Sequence, residues 1–191
     1  MNCIKEHFTK TLEVKQSKFI AHLLPYHDYD KTLQELKTLH PKARHFVVAY
    51  RYLNEFNQIV EHSSDDGEPK GTSGKPSLMV LQGKDIINTA VIIVRYFGGT
   101  KLGTGGLVRA YSDAVNLVLD SADILQYIQK IEKKISFEYS NIRVVEYEAS
   151  VLEVDIVDKV FGDKVLYSLQ ASKNSMDKLL DILERGVSVV E

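Results

Sequence analysis

The chain has no tryptophan, a single cysteine and only four prolines in 191 residues. One cysteine, Cys3, cannot close an internal disulfide, which points to a reducing compartment. It also excludes the Cys-rich zinc fingers and ribbons; His40, His45 and His62 match no such spacing. Cys3 lies in an N-terminal stretch expected to be mobile and without a base, which argues against a cysteine nucleophile. The opening M-N-C-I-K-E-H-F lacks the apolar centre of a signal peptide, and no apolar run reaches the length of a membrane span. The expectation is a cytoplasmic protein with no membrane partner. Strong charge of either sign is missing too: 24 Lys+Arg stand against 26 Asp+Glu, a formal net charge of −2. That balance excludes coating nucleic acid through bulk charge and leaves room for a local basic patch.

Hydrophobic periodicity predicts a mixed α+β chain in two parts. Thr11–Val14 and Phe19–Leu24 read as strands around a polar turn, and Asp28 or Asp30 as the cap of a helix to Leu39 that His40-Pro41 stops. Arg44–Tyr52 alternates as a strand, with His45, Val47, Ala49 and Arg51 on one face; Asn57–His62 is its partner. A short helix over Pro76–Gly83, a buried strand over Asn88–Tyr96 and a helix to about Ala122 or Asp123 complete a domain of residues 1–128. From residue 129 to 191 the order is β-α-β-β-α-β, the ferredoxin-like pattern, with Asn174 or Ser175 as the last helix's cap. The first part carries a net charge of +1 and the second −3.

Two loop-like stretches carry the chemistry. Val94–Ala110 packs five of the eleven glycines into nine residues (Gly98, Gly99, Gly103, Gly105, Gly106), with Arg95, Lys101 and Arg109 and no acidic residue. A strand, a cationic glycine loop and a helix start together form an anion-binding candidate. It is neither a Walker loop nor a dinucleotide fingerprint, since the lysine and the glycine spacing do not match. The alternative is that these glycines only permit a tight crossover. Ser63–Ser77 is the acidic companion, where Glu61, Asp65, Asp66 and Glu68 place four carboxylates in eight residues beside His62. Such oxygen ligands suit Mg²⁺. The other readings are a solvated turn at Asp66-Gly67, and pairing of Asp65 or Glu68 with Arg95 or Lys101. Thr72 belongs to this second loop. His45 is a strand-face residue with a general-base alternative. Ser73 lacks the surroundings of a nucleophile elbow.

S-D-D-G-E-P-K-G-T-S-G-K-P-S-L (Ser64–Leu78) and V-R-Y-F-G-G-T-K-L-G-T-G-G-L-V-R-A-Y (Val94–Tyr111) closely resemble the two signatures of the YigZ/IMPACT family. A-R-H-F-V-V-A-Y (Ala43–Tyr50) and S-K-F (Ser17–Phe19) resemble its other blocks. Ser73 stands where alanine is common in that family, and Phe46-Val47 where cysteine or tryptophan often follow the histidine. The resemblance implies an N-terminal domain with the left-handed β-α-β fold of a ribosomal protein, GHMP kinases and elongation factor G. It also implies a C-terminal domain similar to another elongation-factor domain, as in the bacterial two-domain form. Its eukaryotic members are tied to translational control through a partner that regulates an initiation-factor kinase. The expected function is a non-enzymatic binding protein that contacts RNA or the ribosome through the cationic glycine loop, without a cofactor. The alternatives are a nucleotide- or phosphate-binding enzyme with Mg²⁺ at the acidic loop, and an adaptor for a translation-related protein.

Overall fold

The structure, a computed structural model, describes residues 1–184 and 186–190. The chain divides after Tyr127 into two units, Met1–Tyr127 and Ile128–Glu191; the boundary expected from the sequence lies one residue later.

In the first unit β1 (Asn2–Cys3) precedes a hairpin of β2 (Phe8–Val14) and β3 (Ser17–Pro25). The hairpin turn is only Lys15-Gln16, both with positive φ, as in the two-residue turns that match strand twist. A 3₁₀ turn, Tyr26–Asp28, runs directly into α1 (Tyr29–Leu39). Neither expected aspartate caps α1 through its side chain. Asp28 already has helical φ/ψ, whereas a cap needs extended backbone, and Asp30 lies inside the helix. Next come β4 (His45–Leu53) and β5 (Ile59–Ser64). β5 starts two residues later than expected because Asn57 adopts a left-handed φ of 57° and the Asn54 side chain binds the turn, accepting from the N–H groups of Phe56 and Gln58. Then follow α2 (Gly74–Gly83), β6 (Thr89–Tyr96), α3 (Gly103–Leu119) and β7 (Leu125–Gln126).

The N-terminus is anchored rather than mobile. β1 pairs with β7, the Asn2 N–H donates to the Asp85 carbonyl at 2.8 Å, and Ile4 is buried. Cys3 is half-buried there, and that burial pushes its thiol pKa up, the opposite of a reactive cysteine.

The five-stranded sheet is antiparallel throughout, in the order β2-β3-β6-β4-β5. Alternation along β6 sends Val91 and Ile93 to a core with α2 and α3, and Ala90, Ile92 and Val94 to a smaller core with α1. α1 therefore joins the parallel pair β3 and β4 over one face, and α2 joins the parallel pair β5 and β6 over the other. The two crossovers run in opposite directions, between strands pointing opposite ways, on opposite faces. They must differ in hand, so one is left-handed, against the strong right-handed preference of such connections.

The second unit contains β8 (Lys130–Phe137), α4 (Ile142–Val151), β9 (Asp155–Phe161), β10 (Val165–Ser172), α5 (Lys173–Ile182) and β11 (Val187–Val190). Its sheet is antiparallel in the order β11-β8-β10-β9. Val165, Tyr167, Leu169 and Ala171 alternate inward along β10 onto Val145, Ala149, Met176 and Leu179 of the helices. α5 starts at Lys173, so its cap is Ser172, whose Oγ accepts from the Ser175 N–H at 3.0 Å, and not Asn174 or Ser175.

Among the described residues no helix is long and apolar enough to cross a membrane.

Beyond β6 the chain passes tightly over the β2–β3 hairpin. The Gly98 N–H donates to Ser17 Oγ at 3.1 Å, and a Cβ on Gly98 would lie 2.0 Å from the Gln16 carbonyl carbon. Gly98→Ala is therefore expected to lower the unfolding free energy by about 1–3 kcal/mol, as overpacking against backbone does. A urea midpoint unchanged from the wild type would contradict this.

Candidate functional site

Strand register gathers the sequence blocks at one end of the first unit's sheet. Arg95, near the end of β6, lies opposite Phe19 at the start of β3 and opposite His45 at the start of β4. The acidic loop follows β5 and the glycine segment follows β6, so both meet there.

A buried polar cluster holds them together. Glu68 is 8% exposed and Arg95 5%, and Arg95 Nη1 donates to Glu68 Oε1. The same oxygen accepts from the Tyr111 hydroxyl of α3 at 2.8 Å. Burial, together with the Glu68 charge, pushes the Tyr111 phenol well above its ordinary pKa, so it remains a donor. The Arg95 guanidinium lies over the ring of Phe19, at 5.3 Å, and over that of Phe97, at 5.9 Å. Arg95, expected among the anion contacts, is instead neutralised inside the fold. His45 Nδ1 lies 2.8 Å from the Asp66 carbonyl oxygen, which can only accept, so Nδ1 is assigned as the donor. Nε2 then faces Glu68 Oε1 at 3.9 Å. Through Nδ1, His45 clamps the turn after β5.

The acidic loop spends its carboxylates on its own backbone. Asp65 accepts from the N–H of Gly71 at 2.7 Å, of Ser73 at 3.1 Å and of Gly74 at 2.8 Å, and from Ser73 Oγ at 2.7 Å. Burial opposes its ionisation, but these four donors prevail and hold its carboxyl below the usual carboxylate range. Asp65 thereby caps α2, which is why that helix begins at Gly74 rather than Pro76. Asp66 Oδ2 accepts from the Phe46 N–H at 2.6 Å. Thr72 turns inward, donating to the Pro69 carbonyl at 2.7 Å. Asp65, Asp66 and Glu68, the ligands weighed for Mg²⁺, therefore do not converge, and the described residues contain no group of three such side chains fit to hold a metal. His40 bonds the Tyr96 hydroxyl and His62 stacks on Tyr50, so the histidines weighed for zinc do not meet either.

The glycine segment is half loop and half helix. α3 begins at Gly103, so Gly103, Gly105 and Gly106 form its first turn, while Gly98 and Gly99 precede it. Its N-cap position is Leu102, which offers no side-chain acceptor, and its first turn holds no acidic residue. The first N–H groups of a helix have no intrahelical partner and carry the positive end of its dipole. Lys101 and Arg109 are exposed on either side of this turn and form no ion pair among the described residues. A Cβ on Gly105 would meet nothing within 4 Å. Sequence reasoning missed two participants: Tyr111, whose helical spacing reads as plain core, and Phe97, the exposed ring beside Arg95.

A family model described as the Impact N-terminal domain matches residues 15–119. The chain is similar to a Haemophilus influenzae protein named as an IMPACT family member, 33% identical over 86% of this chain and 82% of that one. It is 36% identical to the IMPACT family member YvyE of Bacillus subtilis, over 98% of this chain and 88% of the relative. A crystal structure of a protein described as hypothetical superposes with a TM-score of 0.70 at 28% identity, over 99% of this chain and 95% of that one.

Removing either partner of the buried cluster should be costly. Glu68→Ala leaves the Arg95 charge uncompensated and is expected to destabilise by about 3–5 kcal/mol, while Glu68→Gln, which keeps an acceptor for Tyr111, costs less. Equal urea midpoints for Glu68→Ala and the wild type would exclude this account. Asp65 gives a pH signature. Its folded pKa is depressed, so its contribution is complete above the unfolded value of about 3.9 and is lost as pH falls through the folded one. Asp65→Asn should lower stability at pH 7 by about 1 kcal/mol, as loss of a cap does, and the difference should shrink below pH 4. A difference unaffected by acid would rule out this role.

Proposed function

The chain belongs to the IMPACT family, and we propose that it is a non-enzymatic, translation-regulatory binding protein that holds RNA phosphate at the N-terminus of α3. The observation that carries the reading is a contrast between two helix starts. At α2 the chain's own Asp65 takes the N–H of Gly74, the first helical residue, and of Ser73 before it, whereas α3 opens to solvent uncapped, between Lys101 and Arg109. A phosphate oxygen there gains several N–H donors, a favourable dipole and two cations. Gly105 leaves space for such a close approach. Gly98, Gly99, Gly103 and Gly106 position the turn in this reading.

The two crossovers of opposite hand support the left-handed β-α-β architecture of ribosomal-protein and GHMP-kinase type for the first unit. The strand order of the second supports a ferredoxin-like sandwich. Both are modules of translation factors, and the family's eukaryotic members act in translational control. The proposed partners are RNA, the ribosome or a translation-related protein, in the cytoplasm. The enzyme alternative is the weaker one, because Asp65 and Glu68, its metal ligands, are committed to the fold.

Lys101→Ala combined with Arg109→Ala is expected to weaken binding of a labelled RNA at least tenfold in fluorescence anisotropy. It should also flatten the plot of log affinity against log salt by about 1.5, the share of two phosphate contacts. Gly105→Ala should separate binding from folding. A helical alanine stabilises by up to about 1 kcal/mol over glycine, so the variant should melt no lower than the wild type yet bind RNA more weakly. Wild-type protein that binds no RNA at low salt, or variants that bind as it does, would refute the reading.

A further inference from the structure

The phosphate contact leaves one feature of the site unused. Phe97 directly follows β6 and is 46% exposed, outside the buried clusters on either face of the sheet. Its support is fixed. The ring lies over the Arg95 guanidinium, which Glu68 holds from one side while the Phe19 ring lies 5.3 Å away. Arg95 is 5% exposed and its Nε has no hydrogen-bond partner, so the guanidinium is not exhausted by the ion pair. The next residue, Gly98, is pinned against Gln16 and Ser17. Gly98, Gly99 and Thr100 bring little side-chain bulk beside the ring, and Lys101 follows, in a stretch with no carboxylate from Val94 to Ala110. An exposed aromatic face beside a cationic turn suits a flat π-system that carries phosphate on its flank.

We propose that Phe97 is a stacking platform for an unpaired base, so that the ligand of this site is single-stranded RNA rather than duplex. This rests on the phosphate reading given above. In a duplex the bases are stacked on one another, and A-form grooves offer hydroxyls and phosphates but no open base face. A single strand can place one base on Phe97 and an adjacent phosphate on the α3 N-terminus. Base–aromatic stacking tolerates any base, which predicts little sequence preference.

The chain's lack of tryptophan supplies the test. Phe97→Trp makes that residue the sole tryptophan of the 191-residue chain, and a stacked base should quench its fluorescence. A single-stranded 12-mer RNA is expected to quench it and a blunt duplex of the same length is not. Phe97→Ala, with an unchanged melting temperature confirming its fold, should weaken single-strand binding roughly 5- to 100-fold and leave duplex binding unaltered. If Lys101→Ala with Arg109→Ala weakens binding but Phe97→Ala does not, the stacking proposal fails and the phosphate site stands. Wild-type preference for the duplex, or single-strand binding without quenching, also overturns it. If the wild type binds neither RNA, both readings fall.

Discussion

The contact on which this end of the molecule depends is the buried pair of Glu68 and Arg95. A charge removed from water is tolerated only when paired and hydrogen-bonded, and one carboxylate oxygen here answers both Arg95 and the Tyr111 hydroxyl. Arg95 belongs to β6, Tyr111 to α3 and Glu68 to the loop before α2. A single acceptor therefore fixes the loop against the sheet and the sheet against the helix whose start forms the proposed site. The pair is stronger evidence for specificity of arrangement than for stability, since a well-packed apolar replacement often costs nothing.

The same pair explains why charge read along the sequence misleads. The four carboxylates between residues 61 and 68 look like a counterweight to the cationic segment. In the structure Glu61 is 2.7 Å from Arg51 Nε, Glu68 is taken by Arg95, Asp65 lies in the N-terminus of α2 and Asp66 accepts from a strand N–H. Each is answered locally, so the acidic loop does not face Lys101 and Arg109 as an opposed surface. Over the Debye length of about 8–10 Å, what a ligand meets is the local arrangement and not the total of −2.

Much of the fold was legible because strand alternation and helical spacing are written in residue type: the His45–Arg51 face, the buried run of β6 and the apolar stripe of α3 all lie as periodicity indicates. The errors fell where backbone conformation decided. Asn57 took a positive φ and shortened β5, Asp28 fell into a 3₁₀ turn and lost its cap, and Ser172 displaced Asn174 and Ser175. The location proposed for the site rests on glycine density and charge, both of which are written in the sequence. Pairing of Glu68 with Arg95 was one of the readings open from the sequence, but which pair forms was not legible, because Arg95 and Lys101 are equivalent as letters and differ only in burial. Tyr111 gave no signal, since a tyrosine at a core position of a helix reveals its hydroxyl partner only once the loop before α2 is in place.

Glycine density itself turns out to be a composite signal. Gly98 is demanded by the hairpin beneath it, where any side chain would collide with the Gln16–Ser17 backbone. Gly105 is demanded by nothing of the kind: its φ lies outside the left-handed range and the space where a Cβ would sit is empty. In the first turn of a helix a glycine without a conformational or packing reason costs stability relative to alanine. Two adjacent motifs thus carry opposite meanings. One glycine serves the fold, and the other leaves a helix start bare at the place where the fold supplies cations and withholds carboxylates.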